Sequence, residues 1–234
     1  MEVQTYQNKH FSVLGDSIST LAGYNPPENA VFYDWGNKRL ADIYAPEDTW
    51  WGRVIDELGG RLLVNESWSG SLVCKHPDCQ IESYGCSDSR TGRLGIGNTA
   101  PDVVMILMGL NDFGWAMPPV STASGEDLAV FSVAYEAMLR KIKTNYPRAE
   151  IWCLTLPVGG MHSNPDFAPL LMRGGWHLKE YCRAIRICAA AAGCKLLDIF
   201  QPDRPYDTID GYHPTAEGMQ TLADAVLEQL RGVV

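Results

Sequence analysis

The chain has 234 residues, 46% of them hydrophobic and 20% charged, the balance of a folded globular domain and not of a disordered or fibrous chain. Nineteen basic residues against 28 acidic ones leave a net charge of −9, which argues against nucleic acid, anionic membranes and strongly acidic polymers as partners or substrates. No apolar run approaches the roughly 20 residues that span a bilayer, no secretory leader is recognisable and the seven cysteines are odd in number, so a single cytoplasmic domain over residues 1–234 is expected.

In chain order, a strand-length apolar run at 10–14 ends in Gly15-Asp16-Ser17, and a long aromatic-rich connection leads to a helical pattern over 49–58. A second strand, 61–64, runs into Trp68-Ser69-Gly70-Ser71, and a third, 102–108, into Gly109-Leu110-Asn111-Asp112. Apolar residues at helical spacing follow over 128–142, then a strand at 150–156, a helix over 178–192, a strand at 195–199 and a last helix over 219–230. Gly59 and Gly193 fall where helix stops belong. Strands alternating with helices predict a three-layer α/β fold of about five parallel strands, with ligands bound beyond the carboxyl ends of those strands. The two longest connections, 17–48 and 70–101, are the natural places for function.

Ser17 follows the first strand, where a glycine lets the chain turn sharply and present a hydroxyl. A serine hydroxyl attacks an acyl carbon only when a histidine takes its proton and a third group orients that histidine. Asp210 and His213, in Asp210-Gly211-Tyr212-His213-Pro214 just before the last helix, supply both partners. The oxyanion needs preset donors, and the candidates are the backbone N–H groups of Ser17 and Gly70 and the side-chain amide of Asn111. Each motif alone is ordinary turn chemistry. Their appearance at the ends of separate strands is what makes one site of them.

These blocks resemble the GDSL or SGNH family of serine esterases and lipases, whose four signature residues match Ser17, Gly70, Asn111 and His213, with Ile18 where the family has leucine. The resemblance runs from position 15 to 213. It implies a flavodoxin-like αβα sandwich, ester hydrolysis through an acyl-enzyme, and no metal or organic cofactor.

Other readings weigh less. The Gly-x-Ser-x-Gly elbow of α/β-hydrolases is absent, and Gly95-Ile96-Gly97-Asn98, which mimics a dinucleotide fingerprint, has no strand before it. Cys74, Cys79 and Cys86, with His76 between them, fit no tight zinc spacing, so paired or free loop cysteines are expected; Cys153, Cys182 and Cys188 read as core. His10, His162 and His177 are assigned to surface or core, His162 with the option of bordering the pocket, and Asp16 and Asp112 to holding loops through backbone N–H groups. Most aromatics of positions 24–51 are expected beneath the loops, whereas Trp68 and Trp115 flank the oxyanion donors and are candidate substrate-binding residues. With no extended apolar lid, the expected substrate is a small ester, in particular an acetyl ester on carbohydrate. A lysophospholipase or thioesterase is the competing enzyme, and a noncatalytic carbohydrate-binding protein the reading from another class.

Overall fold

The computed structural model describes residues 6–76, 82–120, 127–164 and 166–232. Five strands, β1 (His10–Gly15), β2 (Arg61–Asn65), β3 (Val103–Leu107), β4 (Glu150–Leu154) and β5 (Lys195–Leu197), form one sheet in the order β2-β1-β3-β4-β5, every neighbouring pair parallel. A parallel sheet must be covered on both faces, and the side chains show it. Val104 and Ile106 of β3 join Leu14 and Cys153 in one core cluster, while Val103, Met105 and Leu107 join Phe11, Val13 and Trp152 in the other.

Among the described residues seven α-helices complete the layers: α1 (Trp35–Ala41), α2 (Trp50–Glu57), α3 (Asp88–Gly92), α4 (Leu110–Gly114), α5 (Phe131–Asn145), α6 (Leu178–Ala192) and α7 (Ala216–Arg231). α5 and α6 cover the first cluster, α2 and α7 the second. The four long helices overlap the segments the apolar spacing marks, α5 starting at Phe131, three residues after Leu128. α7 starts three residues earlier than that spacing because Thr215 caps it, its side chain accepting from the Gly218 N–H. His177 and Glu180 form a capping box that opens α6, and Gly193 closes it in the left-handed conformation. β4 and β5 end earlier than expected, at Leu154 and Leu197; a last backbone bond runs from the Thr155 N–H to the Leu197 carbonyl at 3.1 Å, and beyond it the Thr155 hydroxyl accepts from the Phe200 N–H at 2.9 Å. α1, α3 and α4 are too short to leave a helical period in the sequence.

Winding reverses at β1 and β3: β2 lies on one side of β1, and the later strands add on the other. In such a sheet the crevice opens at the carboxyl ends of those two strands. Ser17 follows β1, and α4 follows β3.

Candidate active site

Past Gly15 the chain enters a tight turn, Ser17–Ser19, capped by the Asp16 carboxylate, which accepts from the Ile18 N–H at 3.1 Å. A Cβ on Gly15 would lie 2.6 Å from Ser19 and 2.7 Å from the Ser67 hydroxyl, so only glycine lets the strand end so close to its neighbours. From below, the indole N–H of Trp50 donates to Ser19 Oγ at 3.1 Å and that of Trp51 to the Ser19 carbonyl at 3.0 Å, both rings fully buried. Asp16 is itself buried, and desolvation pushes its carboxyl up to about 7 against the pull of the Ile18 N–H and of nearby His213.

His213 Nε2 lies 2.9 Å from Ser17 Oγ, and Nδ1 lies 2.7 Å from Asp210 Oδ2. The other Asp210 oxygen accepts from the backbone N–H groups of Tyr212 and His213, so one carboxylate builds the turn and orients the ring. Partial burial raises the Asp210 carboxyl, but these hydrogen bonds and the adjacent imidazole outweigh it and leave the group below its ordinary value. Phe32 stacks face to face on the imidazole, centroids 3.4 Å apart and planes 7° from parallel. Next to it, the Tyr33 hydroxyl donates to the Pro214 carbonyl at 2.9 Å.

On the opposite side, residues 68–71 form a turn in which the Ser71 N–H donates to the Trp68 carbonyl at 3.1 Å. Gly70 holds φ 77°, left-handed backbone that glycine adopts without strain. The Asn111 amide donates to the Ser71 carbonyl at 3.0 Å, which sets this side chain against the turn. Asp112, fully buried, accepts from the N–H groups of Val73 and Cys74 at 2.8 and 2.9 Å; burial lifts its carboxyl to about 6 although the Cys74 thiol and these backbone donors pull it down. A cavity of about 230 Å³ opens between the two sides, lined by Asp16, Ser17, Ile18, Leu110, Asn111, Gly114, Trp115, Tyr212 and His213.

A family model for the GDSL-like lipases and acylhydrolases matches residues 9–157. The chain belongs to this family. Its fold is shared by a Bacteroides ovatus protein described as a GDSL-like lipase (26% identity, TM-score 0.74, covering 97% of this chain and 100% of the other). It is shared too by the M. smegmatis aryl esterase (20%, TM-score 0.64, 97% and 100%) and by a carbohydrate acetylesterase from Sinorhizobium meliloti (18%, TM-score 0.63, 97% and 100%). No curated protein gave a significant sequence match. The GDSL-like protein is accordingly a carboxylic ester hydrolase with a parallel αβα fold.

Among the residues singled out in the sequence of this GDSL-like hydrolase, Ser17, Asp210 and His213 meet in one hydrogen-bonded chain, and Asn111 and Trp115 line the same cavity. Trp115 stands at its rim, 61% exposed, with His76 5.0 Å from its ring. Gly70 sits on the neighbouring turn and not in the lining. Trp68 is half-buried and is not among the residues that line the cavity; its backbone N–H donates to the Gly15 carbonyl at 3.1 Å.

Asp16 and Asp112 hold loops as expected. Cys74 and Cys86 are buried and free, while Cys79 lies outside the described residues. Cys153, Cys182 and Cys188 are core residues. The Gly95 segment is a tight turn, Ile96 and Thr99 exchanging backbone bonds at 3.0 and 2.9 Å. His10 pairs loosely with Asp102, His177 caps α6, and His162 sits on the surface 3.4 Å from Glu217.

Two residues that sequence reasoning missed are Phe32, stacked on the histidine, and Arg90, buried beneath the Gly70 turn. Phe32 carried the weak signal of an aromatic in a long connection; Arg90 carried none. No helix among the described residues is long and apolar enough to cross a membrane.

Proposed function

We propose that the protein hydrolyses small carboxylic esters through an acyl-enzyme on Ser17, with short acyl groups, acetyl foremost, on a carbohydrate or other ring-bearing alcohol. The observation that carries the reading is the continuous chain from Asp210 through His213 to Ser17, 2.7 and 2.9 Å long in its two links. The Nδ1–H donates a hydrogen bond to the Asp210 carboxylate, which fixes the tautomer that leaves Nε2 with a lone pair facing the serine hydroxyl. Ser17 Oγ attacks the ester carbonyl as His213 takes its proton. The oxyanion is held by the Ser17 and Gly70 backbone N–H groups and by the Asn111 N–H that is not spent on the Ser71 carbonyl. Collapse breaks the bond to the alcohol, which leaves with the proton from His213. Water then attacks the acyl-serine by the same steps, releasing the acid and restoring Ser17.

A cavity of about 230 Å³ supports a short acyl group, and Ile18 and Leu110 give it apolar lining. Exposed Trp115 and Tyr212 at its margin offer flat faces for a sugar or an aryl leaving group. The carbohydrate acetylesterase and the aryl esterase of like fold agree with such alcohols. Unpaired cysteines among the described residues favour a reducing, cytoplasmic setting. The test is hydrolysis of nitrophenyl acetate, butyrate and octanoate together with acetate release from acetylated oligosaccharides. Acetate is expected to lead, and Ser17→Ala to lose nearly all turnover while keeping the wild-type melting transition. Preference for octanoate would overturn the acetyl reading, and full activity in Ser17→Ala the whole mechanism.

A further inference from the structure

One buried cation stands outside that mechanism. Arg90, in α3, has no exposed surface. Its Nε donates to the Glu66 carbonyl at 3.1 Å, Nη2 to the same carbonyl at 2.6 Å and to the Gly15 carbonyl at 3.0 Å, and Nη1 to Ser71 Oγ at 2.8 Å and to the Ser83 carbonyl. A guanidinium owns five N–H donors in a rigid planar fork, and here all five are used. The Glu66 carboxylate, equally buried, stands 3.5 Å from Nε and is shared with Arg93 at 2.8 Å, which balances the charge. Desolvation lowers the Arg90 pKa to about 10, so the group stays a cation at neutral pH.

The acceptors are the informative part. The Gly15 carbonyl ends β1 two residues before Ser17, and it also accepts the Trp68 N–H that opens the 68–71 turn. Ser71 follows Gly70, and its own carbonyl holds the Asn111 amide. One planar group therefore ties the nucleophile's strand to the turn that carries Gly70 and, through the Ser71 carbonyl, holds the Asn111 amide of α4. A buried cation costs several kcal/mol in desolvation and an apolar replacement is often as stable, so bulk stability alone is a poor reason to place one here.

We propose that Arg90 is a positioning residue for the oxyanion hole, its fork fixing the separation between the Ser17 N–H and the Gly70 and Asn111 donors; this rests on the ester-hydrolysis reading above. Lysine, with three donors on a flexible stem, cannot make the same bridge. Ser71→Ala removes the link to the turn while leaving the buried ion pair intact.

The experiment takes the full chain with Arg90→Lys, Ser71→Ala, Asn111→Ala and the Ser71→Ala/Asn111→Ala double variant. It reads kcat and KM on nitrophenyl acetate, the inhibition constant of phenylboronic acid as a tetrahedral adduct, and the thermal transition. Ser71→Ala is expected to melt cooperatively and to lose about tenfold in kcat with KM within about twofold, boronate affinity falling in step. In the Asn111→Ala background the same change should cost less than about twofold, since both act through one oxyanion site. Arg90→Lys should lose more than Ser71→Ala; if it does not fold, the Ser71 cycle decides. A folded Ser71→Ala with wild-type kcat, or an equal loss in both backgrounds, overturns the proposal. A wild-type protein that neither hydrolyses esters nor is labelled at Ser17 by a fluorophosphonate overturns the underlying hydrolase reading instead, and this proposal with it.

Discussion

The two walls of the cavity are built on different principles. On the wall formed by the ends of β1, β2 and β3, the groups that hold the backbone are buried: Asp16, Asp112 and Arg90 are all at most 1% exposed, Asp16 bonding within its own turn and Asp112 and Arg90 to chain segments far from themselves. On the wall formed by 206–214, the working pair is local, Asp210 and His213 three positions apart, with the aspartate side chain 43% exposed. The aspartates record the difference. Burial lifts Asp16 to about 7, while the imidazole and backbone donors hold Asp210 below its ordinary value. Environments that push like groups apart in this way separate their tasks: in the proposed mechanism Asp210 is kept anionic to orient a base, whereas buried Asp16 fixes a turn.

The largest effect is expected where the buried wall meets the substrate. Asn111→Ala removes a proposed oxyanion donor and should lower kcat for nitrophenyl acetate by about 10²–10³-fold, on the order of 3 to 4 kcal/mol of transition-state stabilisation, with KM little changed. A loss confined to KM would show that Asn111 binds the ground state, and the contrast between a stabilising wall and a proton-transferring wall would break.

How much of this was legible follows the same division. Asp210-Gly211-Tyr212-His213 could be read because its chemistry is complete within one turn. Ser17 and Asn111 were legible as turns at the ends of apolar strands. Arg90 was not, since its meaning depends on a carbonyl 75 positions away, and nothing within α3 marks its arginine as buried. Trp68 is the converse case: it adjoins the Gly70 turn in sequence but is not in the cavity lining, because adjacency does not fix which way a ring leaves a turn. The sheet order could be anticipated because parallel strands with helical crossovers leave few topologies open. The short helices α1, α3 and α4 span too few turns for a period of 3.6 to register.

A second, smaller effect separates the walls by pH. The folded protein binds the Asp16 proton more tightly than the unfolded chain does, its pKa moving from 3.8 to about 7. Below the lower value both states are protonated and nothing is lost; between the two the folded state alone holds the proton; above the upper value the folded state carries the whole cost of a buried charge. Asp16→Asn keeps the oxygen that accepts from the Ile18 N–H and does not titrate. Its stability relative to wild type should therefore grow by a few kcal/mol as pH rises from about 4 to 7, read from urea midpoints. A gap that stays constant over that window would mean that Asp16 is not held in a desolvated site. Asp210 has the opposite sign, its contribution being lost as pH falls through its depressed value.

The smallest effect probes the local wall. Phe32 reaches His213 from the long connection after β1 and stacks on one face of its ring, centroids 3.4 Å apart. An aromatic pair contributes about 0.5 to 1.5 kcal/mol beyond its buried area, so Phe32→Leu should cost about three- to tenfold in kcat while Phe32→Tyr stays near wild type. Boronate affinity should fall far less than in Asn111→Ala, because the proposed oxyanion donors belong to the other wall. If Phe32→Leu weakens the boronate as much as it slows turnover, the two walls are coupled through Ser17. The Thr20 hydroxyl is the group that would carry such coupling, since it donates to the Ser17 carbonyl at 2.9 Å and accepts from the Phe32 N–H at 2.9 Å.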